Sequence, residues 1–250
     1  MTRNAPWVVR RPGGTRRGCD AAASGDEDVR IGMDVVMLVG AAGASVVVAL
    51  IVLLVVGVQR SMRAERARKT LLWEWSRAQG WSYTERARAE WTSRLPGRNP
   101  RGLGVVMTGH LGGRWVTVAD YKHETSSSDG SSTTHHYIVV VVRLDRPHLP
   151  VSVLSRGSLS QLGRSLFGDK PTATGNPTFD YRYRVVAPDP HYARRLIGPQ
   201  LITAHLYNAV PHWSLAGQDL LTYHKGQLRH PKTIPALAAP LLHVAELLPP

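Results

Sequence analysis

Cysteine occurs once, at Cys19, so the chain cannot close a disulfide on itself. That usage suits a reducing compartment. Carboxylates are also scarce, 18 against 31 Lys and Arg. Asp120, Asp145, Asp180, Asp189 and Asp219 fall at the ends of expected strands or helices, where turn and cap roles account for them. The Ser-centred elbow G-x-S-x-G, the P-loop and the dinucleotide fingerprint are missing, and His123-Glu124 lacks the second histidine of H-E-x-x-H. Recognition-helix, zinc-finger and RNA-binding aromatic signatures are missing too. No nucleic-acid partner and no cofactor are therefore expected. The 11 histidines show no spacing that supplies a third metal ligand.

One stretch lacks charge altogether. VVMLVGAAGASVVVALIVLLVVGV, Val35–Val58, has no proline and a single hydroxyl, Ser45. At about 1.5 Å per residue it reaches roughly 36 Å, and a bilayer core is about 30 Å thick. A cleaved secretory signal has a shorter apolar core and a small-residue cleavage site; here Gln59-Arg60-Ser61-Met62 follows. The run also leaves no polar face, which a water-soluble helix would need. The reading is an uncleaved transmembrane helix over 34–58. Gly40 with Ala44 and Ala41 with Ser45 would permit close helix approach, and so a homodimer through the span.

Charge then sets orientation. Arg60, Arg63, Arg66, Arg68 and Lys69 follow the run, whereas Asp20, Asp26, Glu27, Asp28 and Asp34 precede it with only Arg30 opposing them nearby. Cytoplasmic flanks carry the Lys/Arg excess, which puts the N-terminus outside and the C-terminal part in the cytoplasm. Arg10, Arg11, Arg16 and Arg17 compete and would invert this if they dominated. Residues 60–102 carry eleven basic against four acidic side chains, and 103–250 fourteen against nine. The excess is densest beside the span, where each cation gains about 1 kcal/mol against anionic lipid. Arg60, Arg63, Arg66, Arg68 and Lys69 are thus the expected lipid contacts.

Four regions are expected. Residues 1–33 have no apolar periodicity and read as disordered. Met33 stands directly before Asp34 and the span, so translation is expected to begin there. A natural peptide from residues 1–32 would refute that start. After the span come a basic juxtamembrane helical region, 59–102, and an α+β domain, 103–250, with an antiparallel sheet and packed helices. The juxtamembrane helix runs to Gly80; its Trp73, and Trp75 and Trp81 beside it, suit either the headgroups or the domain surface. Tyr83 to Leu95 reads as a second amphipathic piece.

Gly112-Gly113 between GVVMTGHL and RWVTVADY signals a hairpin. His123 to Thr134 reads as a polar projecting loop. His135 to Leu144 should be a central strand ended by Pro147 and Pro150, with Val151–Leu154 a further short strand. Ser158 to Gly168 suits a short helix. FDYRYRVVA, 179–187, alternates like a strand with one wet face. Asp189-Pro190 starts a helix that Gly198 stops, and Pro199 starts the next. His212 to Leu228 reads as two short strands around Gly217. Pro231 to Leu248 has one apolar face, interrupted by Pro235 and Pro240.

The order of elements resembles a family of uncharacterised, single-pass membrane-anchored proteins of high-GC Gram-positive bacteria. Gly80-Trp81, LGGRWVTVAD, YIVVVVRLDRPHLPVSVL, FDYRYRVVAPDPHYARRLIGPQLITAHL and AGQDLLTYHKGQL carry the likeness over residues 70–248. It implies a single-pass α+β protein and assigns neither an activity nor catalytic residues. The family pattern has Phe-Asn where this chain has Phe179-Asp180. The leading functional expectation is a membrane-anchored, non-catalytic binding or accessory domain with a protein partner. The partner-loop candidates are His123, Glu124, Asp129 and His135. A membrane-tethered hydrolase, whose histidines converge only in the fold, is the alternative.

Overall fold

A computed structural model describes residues 24–126, 128–156 and 172–249, with side chains from residue 50 onward. The chain divides into two units, Met1–Met62 and Arg63–Pro250. Helix α1, Ser24–Ala78, carries the apolar run. Among the described residues no helix is long and apolar enough to cross a membrane. Residues 35–49 of the run, with Gly40, Ala41, Ala44 and Ser45, lie outside the described side chains. So do the segment 1–23 and the expected helix at 158–168.

The second unit is an α+β domain built on one antiparallel sheet. Its strands are β1 (Ser82–Glu85), β2 (Leu103–Leu111), β3 (Arg114–Ser126), β4 (Ser132–Ser155), β5 (Tyr183–Val186) and β6 (Trp213–Lys225). Strand β4 is the axis. β6 lines one of its edges, while β3 and β5 share the other, β3 on 132–142 and β5 on 152–155. The β2–β3 turn is the Gly112-Gly113 pair, with φ of +58° and +74° as such a two-residue turn demands.

Both faces of the sheet are buried. Val105, Met107, Val116, Val118, Val140 and Val142 pack on one side with Leu72 of α1 and with Ile234, Leu241 and Val244 of α5 (Ile234–Leu247). Helices α2 (Pro177–Arg182), α3 (Pro190–Leu196) and α4 (Pro199–Leu206) add Phe179, Leu196 and Leu201 to this core. On the other side Ala119, Tyr121, Tyr137, Val139, Val141 and Leu221 lie under the 3-10 segments Glu90–Arg94 and Pro96–Arg98. Trp91 and Leu95 seal that smaller core. Arg94 braces it, donating to the carbonyls of Ser214 (3.1 Å) and Asp219 (2.9 Å). Both carbonyls meet one guanidinium because β6 turns sharply at Gly217, φ +58°.

Helix capping follows the sequence where the signal is local. Asp189 Oδ1 accepts from the amides of His191 (2.8 Å) and Tyr192 (3.1 Å) and starts α3. Gly80, φ +69°, ends the turn after α1. Trp81 then folds back onto β2, where its indole lies directly against Gly109 and leaves no room for a Cβ there.

Several expected elements are different. Tyr83 to Leu95 is not a helix but β1 and a 3-10 turn. Of the strand expected over 179–187, Phe179–Arg182 is instead the end of helix α2, because Asn176 Oδ1 accepts from Phe179 N–H (3.0 Å) and Pro177 occupies the first turn, and the strand is kept at Tyr183–Val186. Tyr181, expected on the buried face, is 82% exposed. Pro147 and Pro150 do not end β4; they sit where the β4–β6 register breaks, between Arg143 and Val151, so the missing amides interrupt no ladder. The expected strand pair around Gly217 is one bent strand. The loop expected over His123–Thr134 contracts to the turn between Ser126 and Ser132, because β3 and β4 keep pairing to that rung.

Candidate functional site

The stretch from Arg60 to Lys69 divides by side-chain environment. Arg60, Arg63 and Arg66 are exposed. Arg68, expected at the lipid surface, instead turns into the domain with a side chain only 11% exposed. It donates to Asp120 Oδ2 (2.6 Å), the Leu228 carbonyl (2.6 Å) and both Glu65 oxygens (2.7 and 3.0 Å). Asp120 Oδ1 accepts from Leu228 N–H (2.9 Å). Burial opposes the charge on Arg68, but the hydrogen bonds to Glu65 and the charge of Asp120 overcome it and hold the guanidinium protonated. Burial lifts the Asp120 carboxyl, against the pull of Leu228 and Arg68. Lys69 pairs with Glu85 at 2.6 Å. Arg68 and Lys69 thus join α1 to β3 and β1. The physical cause is helical spacing: Glu65, Arg68, Leu72 and Trp75 recur on one face, and Leu72 is fully buried there. Trp81 and Trp75 meet edge to face, centroids 5.4 Å apart, while Trp73 stays exposed beneath Arg77.

The four partner-loop candidates sit on one β-hairpin. The β2 ladder begins at Leu103↔Tyr121 and the β6 ladder ends at Tyr137↔Lys225. One residue further on, Lys122 N–H still donates to the Gly102 carbonyl (2.9 Å) and the His136 carbonyl still accepts from Gly226 N–H (3.0 Å), and beyond that β3 and β4 pair only with each other, down to Ser126↔Ser132. A two-stranded arm results. Glu124 and Asp129 are exposed on it, and Asp129 Oδ1 braces the turn by accepting from Ser131 N–H at 2.9 Å.

His123 and His135 differ from the rest of the arm. They are direct cross-strand partners, which puts both side chains on one face. Their ring centroids are 5.0 Å apart with 28° between planes. His123 is only 7% exposed. Gly97, φ +70°, lies on its ring so closely that a Cβ there would fall 2.6 Å from Cγ. Tyr121 holds that cover down: its Oη donates to the Pro96 carbonyl (2.6 Å) and accepts from Asn99 N–H (2.8 Å). Neither His123 nitrogen has a hydrogen-bond partner. Burial and then the neighbouring His135 push its pKa below the ordinary histidine value, against the pull of the Glu124 backbone. The sequence could flag the two histidines but not the register that opposes them.

Two other histidines, His205 and the half-buried His212, pack against aromatic rings. His205 is fully buried against Tyr183 and Phe179, and its Nε2 accepts from Trp213 Nε1–H at 3.0 Å. His212 packs on Tyr223, centroids 4.7 Å apart. Among the described residues no group of three or more His, Cys, Asp and Glu side chains is gathered that could hold a metal. An open groove of about 420 Å³ lies between α4 and α5, lined by Pro199, Thr203, Ala204, Tyr207, His243 and Leu247.

No family model matches the chain. No curated protein matches it either. Among solved structures it is similar to the crystal structure of the mycobacterial trehalose monomycolate transport factor A, TtfA. The two share 15% identity over 74% of this chain and 98% of that one, with a TM-score of 0.49. The resemblance to an uncharacterised high-GC Gram-positive family therefore has no family model behind it.

Proposed function

We propose that the chain is a membrane-anchored binding or accessory protein without catalysis of its own. Val35–Val58 spans the bilayer, the N-terminus is outside, and the α+β domain works in the cytoplasm. Arg60, Arg63 and Arg66 remain for anionic lipid, at about 1 kcal/mol each, since Arg68 and Lys69 are spent inside the domain. The observation that carries a binding role is the β3–β4 arm. Beyond the His123–His135 rung none of its described residues is buried, so the core does not require it. A ribbon that adds nothing to the core, rimmed by hydroxyls with Glu124 and Asp129, is surface available to a partner protein.

Two outcomes test this reading. Reporters fused after residue 250 are expected to give signal from a cytoplasm-specific enzyme and none from one active only outside. The reverse pattern overturns the orientation, and signal from a chain in the soluble fraction overturns the anchor. A photo-crosslinker at Thr134 in intact cells is expected to give a discrete protein adduct that disappears with Glu124→Lys and Asp129→Lys together. One placed at Tyr181, equally exposed but on α2, should give none. Identical adducts from both positions, or an adduct indifferent to the two lysines, would overturn the arm as the contact.

A further inference from the structure

We propose that His123 and His135 form a two-imidazole site for a divalent transition-metal cation of the zinc and copper class. The register supplies the geometry, because direct cross-strand partners share one face with Cβ atoms about 5 Å apart. Two imidazoles bound to one ion at about 2.0–2.1 Å, in cis positions, have centroids roughly 4.5–5.2 Å apart. The observed separation is 5.0 Å.

Hydrogen bonding then selects the atoms. Thr125 Oγ1 lies 3.0 Å from His135 Nε2 and 3.4 Å from the Thr133 carbonyl; with its own proton on that carbonyl it accepts from Nε2–H. That places the ring proton on Nε2 and leaves the lone pair on Nδ1, the outer-shell arrangement that fixes a metal-bound imidazole. His123 is buried with both nitrogens unpartnered. A polar group so placed lacks the partner that a native interior ordinarily supplies, and a bound ion is one way to supply it. A metal takes the neutral imidazole. Water or a partner's side chain would complete the coordination, since two protein ligands leave positions open.

The test is a Cu²⁺ titration of the full chain in detergent, read by calorimetry and by the nitrogen splitting in its electron paramagnetic resonance spectrum. One ion with two nitrogen ligands is expected. His135→Ala should raise the dissociation constant at least tenfold and remove the two-nitrogen signature. His136→Ala, one residue away on the opposite face, should change neither. Thr125→Val should weaken binding about tenfold by freeing the tautomer. Affinity unchanged in His135→Ala overturns the site, as does an equal loss in His136→Ala. His135 is partly exposed, so this variant reports on binding even if His123→Ala fails to fold.

Discussion

Asp120→Ala is expected to lower the stability of the domain by about 3–5 kcal/mol, the usual cost of removing one partner from a buried ion pair. The reason is geometric. Arg68 is 11% exposed and has already given its donors to Asp120, Glu65 and the Leu228 carbonyl. Removing Asp120 takes away the buried counter-charge of that guanidinium, leaving it the half-exposed Glu65 and the Leu228 carbonyl, and also frees the Leu228 amide. The pair replaced as a whole, Arg68→Met with Asp120→Leu, should cost less than Asp120→Ala alone. Burial opposes both charges, so their attraction is largely offset by desolvation. Urea unfolding of the full chain in detergent, followed by tryptophan fluorescence, measures both. A loss under about 1 kcal/mol for Asp120→Ala would mean that Leu72 and Trp75 alone hold α1 to the domain.

The second large effect is acid lability. Burial pushes His205 down to about 4, helped by His212. It pushes His212 down to about 4 as well, helped by His224 and opposed by the Tyr223 backbone. Their unfolded value is near 6.5. Between these values the unfolded chain binds more protons than the folded one, so stability falls as pH falls through that window. Each histidine contributes roughly 3 kcal/mol of loss by pH 4, and as neighbours they need not add. His123, His148 and His224 shift in the same direction. The urea midpoint should therefore drop steadily from pH 7 to pH 4. His212→Gln, which cannot take up a proton, should remove about half of the slope. A midpoint that holds level down to pH 5 would show that the two rings reach water in the native state.

Several features were legible because their signals are local. Gly112-Gly113 needs only two backbone conformations to make a turn. Asp189-Pro190 needs only the next two amides to cap a helix. The β-branched run from Ile138 to Val142 forms a strand buried on both faces, since one core holds Val140 and Val142 and the other Val139 and Val141. Local alternation misled at Phe179 to Arg182, where the Asn176 cap decides the conformation. Proline misled at Pro147 and Pro150, whose tolerance depends on a register break set by β6, some 70 residues later.

The sequence by itself determined the uncharged run at Val35–Val58, the basic bias that follows it, the α+β class, and the absence of a recognised catalytic motif. These are properties of composition and near-neighbour spacing. Only the tertiary structure decided that Arg68 serves Asp120 rather than lipid, that His123 is buried, and that His123 faces His135 on a two-stranded arm. Each of those rests on pairing between residues 12 to 52 positions apart. Such pairing is fixed by register and by which helix face packs against the sheet, and no single stretch of the chain carries it.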